Sequence, residues 1–181
     1  MDEGLIDAIE KRQIIVVDYD PRWPETFRKH EEIIKRVLGS KALSIEHIGS
    51  TSVPMLASKP IIDILVVVKD SGDEATYLPA LLAAGYVLRV RETDWHQHRM
   101  FRTPEQDVHI HILSAGCVEI QKQIAFRDRL RTNAEDRLLY ESVKRKLAKE
   151  DWPDMDTYAQ AKSEVVGEIT ARGLHAAGNM A

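Results

Sequence analysis

The sequence predicts a single α/β domain, and three observations predict it. A β-branched run from Ile61 to Val68 reads as a buried strand, Val108–Leu113 alternates with the period of a strand, and from Val118 to about Arg172 the patterning is helical throughout. With 181 residues and 44% apolar content, the chain can bury one core of ordinary size but is short for two. The expectation is one domain over residues 1–181, with strands and helices alternating over about 13–113 and C-terminal helices over about 118–172.

Taken in order, residues 13–18 read as a short strand. Pro21 and Pro24 then bracket a helix start that runs to Leu38, where Gly39 stops it. Phe27, Ile33, Ile34, Val37 and Leu38 supply its apolar stripe. Leu43–Ile48 reads as a strand, followed by a turn at Gly49-Ser50-Thr51-Ser52, a short helical piece before Pro60, and Ile61–Val68 as a central strand. Residues 73–84 read as a helix ending at Gly85. Tyr86–Arg91, about 98–102 and Val108–Leu113 read as further strands. In the remainder, Asn133, Trp152-Pro153 and Asp154 are the breaks, which divides it into three helices beside the sheet. No fixed-period repeat interrupts this order.

Composition removes several classes of function. A formal net charge of −4 gives no global electrostatic reason to expect nucleic acid or an anionic membrane as partner. The longest apolar stretch is broken by Asp63 and falls far short of the roughly 20 residues of a membrane helix. The acidic first residues do not read as a secretion signal. A single cysteine, Cys117, forms no internal disulfide and suits a reducing cytoplasm.

Three features carry chemistry. The Gly49-Ser50-Thr51 turn joins a strand to a helical piece, where backbone N–H groups and hydroxyls can hold phosphate oxygens; the same residues also suit a capped turn without a ligand. Asp63 lies inside an apolar strand, where an ionised carboxylate is expensive unless it is paired, hydrogen-bonded or bound to a cation, although a structural aspartate capping a loop fits as well. His109 and His111 fall on one face of their strand by its period of two. Set across a sheet from Asp63, they make a two-histidine, one-carboxylate group that can hold a divalent metal with open positions; the alternative is a solvated face with incidental histidines. Leu113 at the next alternate position excludes a histidine-triad hydrolase. His96 and His98 read as part of an exposed polar hairpin. The basic residues Arg129, Arg131, Lys144, Arg145, Lys146 and Lys149 read as a solvated helical face, while Arg127, Lys59 and Lys162 are placed at the mouth of the Gly-Ser turn. Cys117 reads as a small packing residue.

Together, Glu46-His47-Ile48-Gly49-Ser50-Thr51-Ser52-Val53-Pro54, Lys59-Pro60-Ile61-Ile62-Asp63-Ile64, His109-Ile110-His111, Phe126-Arg127-Asp128 and Tyr158-Ala159-Gln160-Ala161-Lys162 strongly resemble the GrpB family. The likeness extends from about Val16 to about Ile169. That family has a nucleotidyltransferase-like core and occurs alone or fused to dephospho-CoA kinase. The resemblance implies a mixed sheet flanked by helices, with the Gly49-Ser50 turn opening the site and Asp63 as its first acidic ligand. Enzymes of the wider superfamily carry a second carboxylate two residues later, where this chain has Leu65, and a third on a neighbouring strand, where His109 or His111 takes over. Met55 stands where the family commonly has Gly.

These readings combine into an expected metal-dependent nucleotidyl or phosphoryl transfer enzyme acting on a nucleoside triphosphate. Gly49, Ser50 and Thr51 would hold the polyphosphate, Asp63, His109 and His111 the metal, and Lys59, Arg127 or Lys162 would neutralise phosphate charge. Catalysis would rest on Asp63, His111 and Lys59. Imidazole ligands favour Mn or Zn over Mg. The alternative is a module that keeps the nucleotidyltransferase shell and binds a nucleotide or other phosphorylated small molecule without turnover; a purely structural partner leaves Asp63 and the paired histidines unexplained.

Overall fold

The computed structural model of the chain describes residues 4–5 and 14–178. Its elements run β1 (Gly4–Leu5), α1 (Trp23–Leu38), β2 (Ser44–Ile48), β3 (Ile62–Val68), α2 (Leu78–Ala83), β4 (Val87–Glu92), β5 (His98–Arg102), β6 (Val108–Ser114), α3 (Val118–Thr132), α4 (Ala134–Leu147), α5 (Met155–Ala161) and α6 (Ser163–Gly178). The strands form one mixed sheet of order β1-β4-β5-β6-β3-β2. Only the β3–β6 pair is parallel, with Asp63 opposite His109 and Leu65 opposite His111. A parallel pair cannot be joined by a hairpin, and here α2, β4 and β5 lie between its two strands in the chain.

The period-two pattern of β3 and β6 divides the sheet into two working faces. Ile62, Ile64, Val66 and Val68 of β3 join Val108, Ile110 and Ile112 of β6 in the main core, which α1 and α2 cover through Ile34, Leu38 and Leu81. On the opposite face the strands change character along their length. Leu65, Val67 and Leu113 pack with Ile48, Cys117 and Ile120 under the start of α3, while Asp63, His109 and His111 occupy the other end of the same face. The C-terminal helices close over that end through Val53, Leu56, Leu130, Tyr140 and Ile169. Where α3 and α6 cross, Gly173 lies against the Ala125 backbone so closely that a Cβ would collide with its carbonyl group.

Several elements differ from the sequence expectation. Residue 13 lies outside the described residues, and 14–18 make no strand, because the only ladder contact there is the isolated bridge Val17–Ser58. The helical piece after Gly49 is one 3-10 turn, Ser50–Ser52. The 73–84 segment divides into a 3-10 turn at Glu74–Thr76 and the short α2, with Pro79 at the helix start. Among the described residues, four helices rather than three run from Val118 onward, since the run expected after Asp154 breaks again at Lys162. Asn133 and Asp154 do mark breaks, and each side chain accepts a hydrogen bond from the backbone N–H three residues on.

Candidate metal and anion site

Parallel register brings Asp63 and the two histidines together. His109 Nδ1 lies 3.6 Å and His111 Nε2 3.5 Å from Asp63 Oδ1, and one ligand atom from each residue falls within 4.8 Å of the others. Gly49 closes the fourth side. With φ +68 it occupies a conformation that favours glycine, and a Cβ there would stand 2.5 Å from Asp63 Oδ2. The glycine thus lets the turn lie directly on the carboxylate. Burial works to raise the Asp63 pKa, but hydrogen bonding from His111 and the charges of His109, His111 and Lys59 outweigh it and hold the carboxyl below its ordinary value.

His111 is held from behind. Its Nδ1 meets His98 Nε2 at 3.0 Å, and His98 Nδ1 meets Glu92 Oε2 at 2.7 Å. Burial, with smaller contributions from His111 and Arg99, pushes His98 down to about 3, so its ring is neutral. Hydrogen-bond logic then assigns every proton in the chain. Glu92 accepts from His98 Nδ1–H, His98 Nε2 accepts from His111 Nδ1–H, and His111 turns its Nε2 toward Asp63. Between that nitrogen and the carboxylate there is a place for one positive charge, a proton on Nε2 or a cation that replaces it. The donor set therefore fits a divalent metal, with the backing contacts that orient metal-binding histidines. The reading of His98 as part of an exposed hairpin is corrected: it is buried on β5, stacked against His111 with ring centroids 5.3 Å apart.

Beside this group opens a cavity of about 160 Å3, whose wall includes Gly49, Ser50, Asp63 and His109. Its other side is cationic, formed by Lys59, Lys144 and Lys162 with Tyr140 and Tyr158. Lys162 Nζ lies 4.3 Å and Lys59 Nζ 5.2 Å from the Tyr158 ring centroid, and Lys144 Nζ lies 4.6 Å from that of Tyr140. Burial and the neighbouring lysines bring Lys144 down to about 7 and Lys162 down to about 8. The fully buried Tyr158 hydroxyl has no hydrogen-bond partner among the described residues. Crowded ammonium groups and an orphaned hydroxyl make a wall suited to an anion.

The structure distributes the sequence candidates unevenly. Asp63, His109, His111, Gly49, Ser50, Lys59 and Lys162 converge here. Thr51 does not: it is buried, donates to the Ile61 carbonyl at 3.0 Å and contacts His47 Nε2 at 3.1 Å, so its hydroxyl holds the turn and is not part of this cavity's wall. Arg127 is corrected as well. Its guanidinium pairs with Glu46 and Asp128 at 2.7 Å each and donates to the His47 carbonyl, which ties α3 to β2 outside the cavity wall. Lys144, read as a solvated helix residue, is 3% exposed and donates to the Ala57 carbonyl. Its place four residues after Tyr140, on the same helical face, was the available signal.

Residues 13–172 match the family profile described as GrpB protein. The chain belongs to the GrpB family. Among its GrpB-family relatives, the UPF0157 protein BH1888 of Halalkalibacterium halodurans is 53% identical over 159 residues, spanning 88% of this chain and 82% of that one. The crystal structure of GrpB from Enterococcus faecalis superposes with a TM-score of 0.80 at 34% identity, covering 89% of this chain and 98% of that one. A crystal structure of the Cid1 poly(U) polymerase superposes with a TM-score of 0.54 at 10% identity, over 74% of this chain and 44% of that one. That likeness makes the GrpB fold nucleotidyltransferase-like and is an argument about fold alone. Among the described residues, no helix is long and apolar enough to cross a membrane.

Proposed function

We propose that this protein is a cytoplasmic, metal-dependent nucleotidyl or phosphoryl transferase. The observation that carries the reading is the convergence of Asp63, His109 and His111 within 4.8 Å at the edge of a cavity walled by three lysines. A divalent ion held by these three residues would supply charge neutralisation at phosphate oxygens. Two imidazole donors favour Zn or Mn over Mg.

The chain's own groups do the positioning. Lys59, Lys144 and Lys162 draw the phosphate portion of a nucleoside triphosphate into the cavity, which is too small for a whole nucleotide beside the common range of about 300–1,000 Å3. Ser50, hydrogen-bonded to Tyr140, and the Gly49 backbone set the near wall. Lysine charge beside the transferred group stabilises charge that develops during transfer, and fixed orientation supplies much of the remaining rate in this class of reaction.

One observation favours a second reading, a binding module without turnover. Leu65, at the position of the second superfamily carboxylate, is fully buried in an apolar cluster, so no second acidic ligand follows Asp63 on β3. Phosphorus NMR separates the two readings. Metal-stripped protein is mixed with nucleoside triphosphate, restored with Zn, Mn or Mg, and compared with Asp63→Asn and His111→Ala. Pyrophosphate or phosphate release with candidate acceptors, lost in Asp63→Asn, supports the enzyme. Metal-dependent binding without turnover supports the module, and no metal-dependent binding of any triphosphate refutes both.

A further inference from the structure

A second and larger cavity, of about 580 Å3, lies against the same 49–55 segment: Ser52, Pro54 and Met55 line it, whereas Gly49 and Ser50 line the first. Its size falls within the range typical of small-molecule sites. Tyr19, Phe27 and His47 give it an aromatic side, and Arg28, Arg131 and Arg137 a cationic one, with no carboxylate in its wall among the described residues.

Backbone carbonyl groups orient two of the three guanidinium groups. Arg131 Nε and Nη2 donate to the Ser52 carbonyl at 3.0 and 2.8 Å. Arg137 Nη1 donates to the Leu130 and Arg131 carbonyls. Carbonyl partners fix the direction of a guanidinium and leave its charge uncompensated. The nearest carboxylate, Asp128, stands 3.7 Å from Arg131 and pairs more closely, at 2.7 Å, with Arg127. Burial, followed by repulsion from Arg127, holds Arg131 below its ordinary value, so an added anion there is favoured. Arg28 is exposed on α1. On the aromatic side, Phe27 and His47 stack at 4.8 Å and 8°, and burial brings His47 down to about 4, leaving its ring neutral.

We infer that this cavity is a second ligand site, for a small molecule with a flat ring and a phosphate group, of the nucleoside monophosphate class. The planar body lies along Tyr19 and Phe27, and the phosphate meets Arg28 and the guanidinium N–H groups of Arg131 and Arg137 that the carbonyls leave open. Arg131 binds the Ser52 carbonyl, so a phosphate on this side touches the turn that carries Gly49 to Asp63.

The test uses adenosine 5′-monophosphate as probe on metal-free full-length protein, by calorimetry and amide chemical-shift mapping. Saturable binding is expected, weakened about tenfold or more by Arg28→Glu, kept by Lys162→Ala, and much weaker for adenosine or inorganic phosphate alone. Arg28→Glu changes an exposed helix residue and leaves the fold intact, which circular dichroism verifies. No saturable binding, binding that Arg28→Glu leaves unchanged, or binding that Lys162→Ala removes instead would overturn the assignment; the last would place the ligand in the first cavity.

Discussion

His98→Phe isolates what the contact behind His111 contributes. The ring stack against His111 is retained, since His98 and His111 lie nearly parallel at 18° and a phenyl ring is of similar shape. What disappears is the nitrogen that accepts from His111 Nδ1–H at 3.0 Å. His111 is then free to carry its proton on Nε2, where the proton blocks the lone pair aimed at Asp63. A neutral hydrogen bond contributes about 1 kcal/mol, and loss of such a backing partner lowers metal affinity about 10- to 100-fold. The expected outcome is a loss of about tenfold or more in Zn affinity, measured by competition with a chelating dye. Nitrogen-15 NMR of the metal-free protein is expected to show a proton on His111 Nδ1 in the wild type, hydrogen-bonded to His98, and the loss of that bond in His98→Phe. His98→Gln, whose amide oxygen can accept the same proton, is expected to recover part of the affinity. An unchanged Zn affinity in a folded His98→Phe protein, or a His111 Nδ1 without a proton in the wild type, would refute the proton assignment.

Three further outcomes are expected. Gly49→Ala places a methyl 2.5 Å from Asp63 Oδ2 at a backbone φ of +68; a loss of about 1–2 kcal/mol in urea unfolding, together with weaker metal binding, is expected. Gly173→Ala drives a methyl into the Ala125 carbonyl where α3 and α6 cross and is expected to destabilise by about 1–3 kcal/mol in the same assay, without altering the Asp63 site. Sulfate, which stays a dianion across the range, is expected to bind the first cavity less well as pH rises from 6 to 9. Lys144 and Lys162 lose charge through about 7 and about 8, while Glu141, Arg145 and Asp63 around them keep theirs. Calorimetry on Lys144→Met is expected to remove the lower part of that dependence. The sign for stability is opposite: Lys144 in the fold lies below its ordinary 10.5, so between those values the unfolded chain holds more protons, and the unliganded protein gains stability as pH rises.

The heart of the site was legible because strand period is rigid. Two residues along β6 put His109 and His111 on one face whatever the neighbours, and an aspartate in the apolar run of β3 had to be compensated by something. The register that joins them, Asp63 opposite His109, depends on long-range pairing and was not legible; the sequence reading only supposed that the histidines faced Asp63 across a sheet. Charge alone misled on the helices. Lys144 lies in the run Lys144-Arg145-Lys146, where composition does not tell which lysine turns inward, and Arg127 pairs with Glu46 across 81 positions of sequence. The hydroxyls of Ser50, Thr51 and Ser52 look alike in sequence, yet Thr51 bonds into the fold while Ser50 lines the cavity. His98 was misplaced because a polar stretch can be solvated or can form a buried polar network, and only the partners on β4 and β6 decide which.

The first cavity is also a seam. Its acidic group comes from the sheet, and much of its cationic side comes from α4 and the α5–α6 junction, through Lys144, Tyr158 and Lys162. A bound anion bridging the two sides acts as a strut between layers otherwise joined by apolar packing, backbone contacts and the Arg127–Glu46 pair. By mass action, a ligand at a hundredfold its dissociation constant adds about 2.7 kcal/mol to the folded state. That increment falls on the separation of the C-terminal helices from the sheet, so slower amide exchange and proteolysis in α5 and α6 would report occupancy even when no chemistry follows.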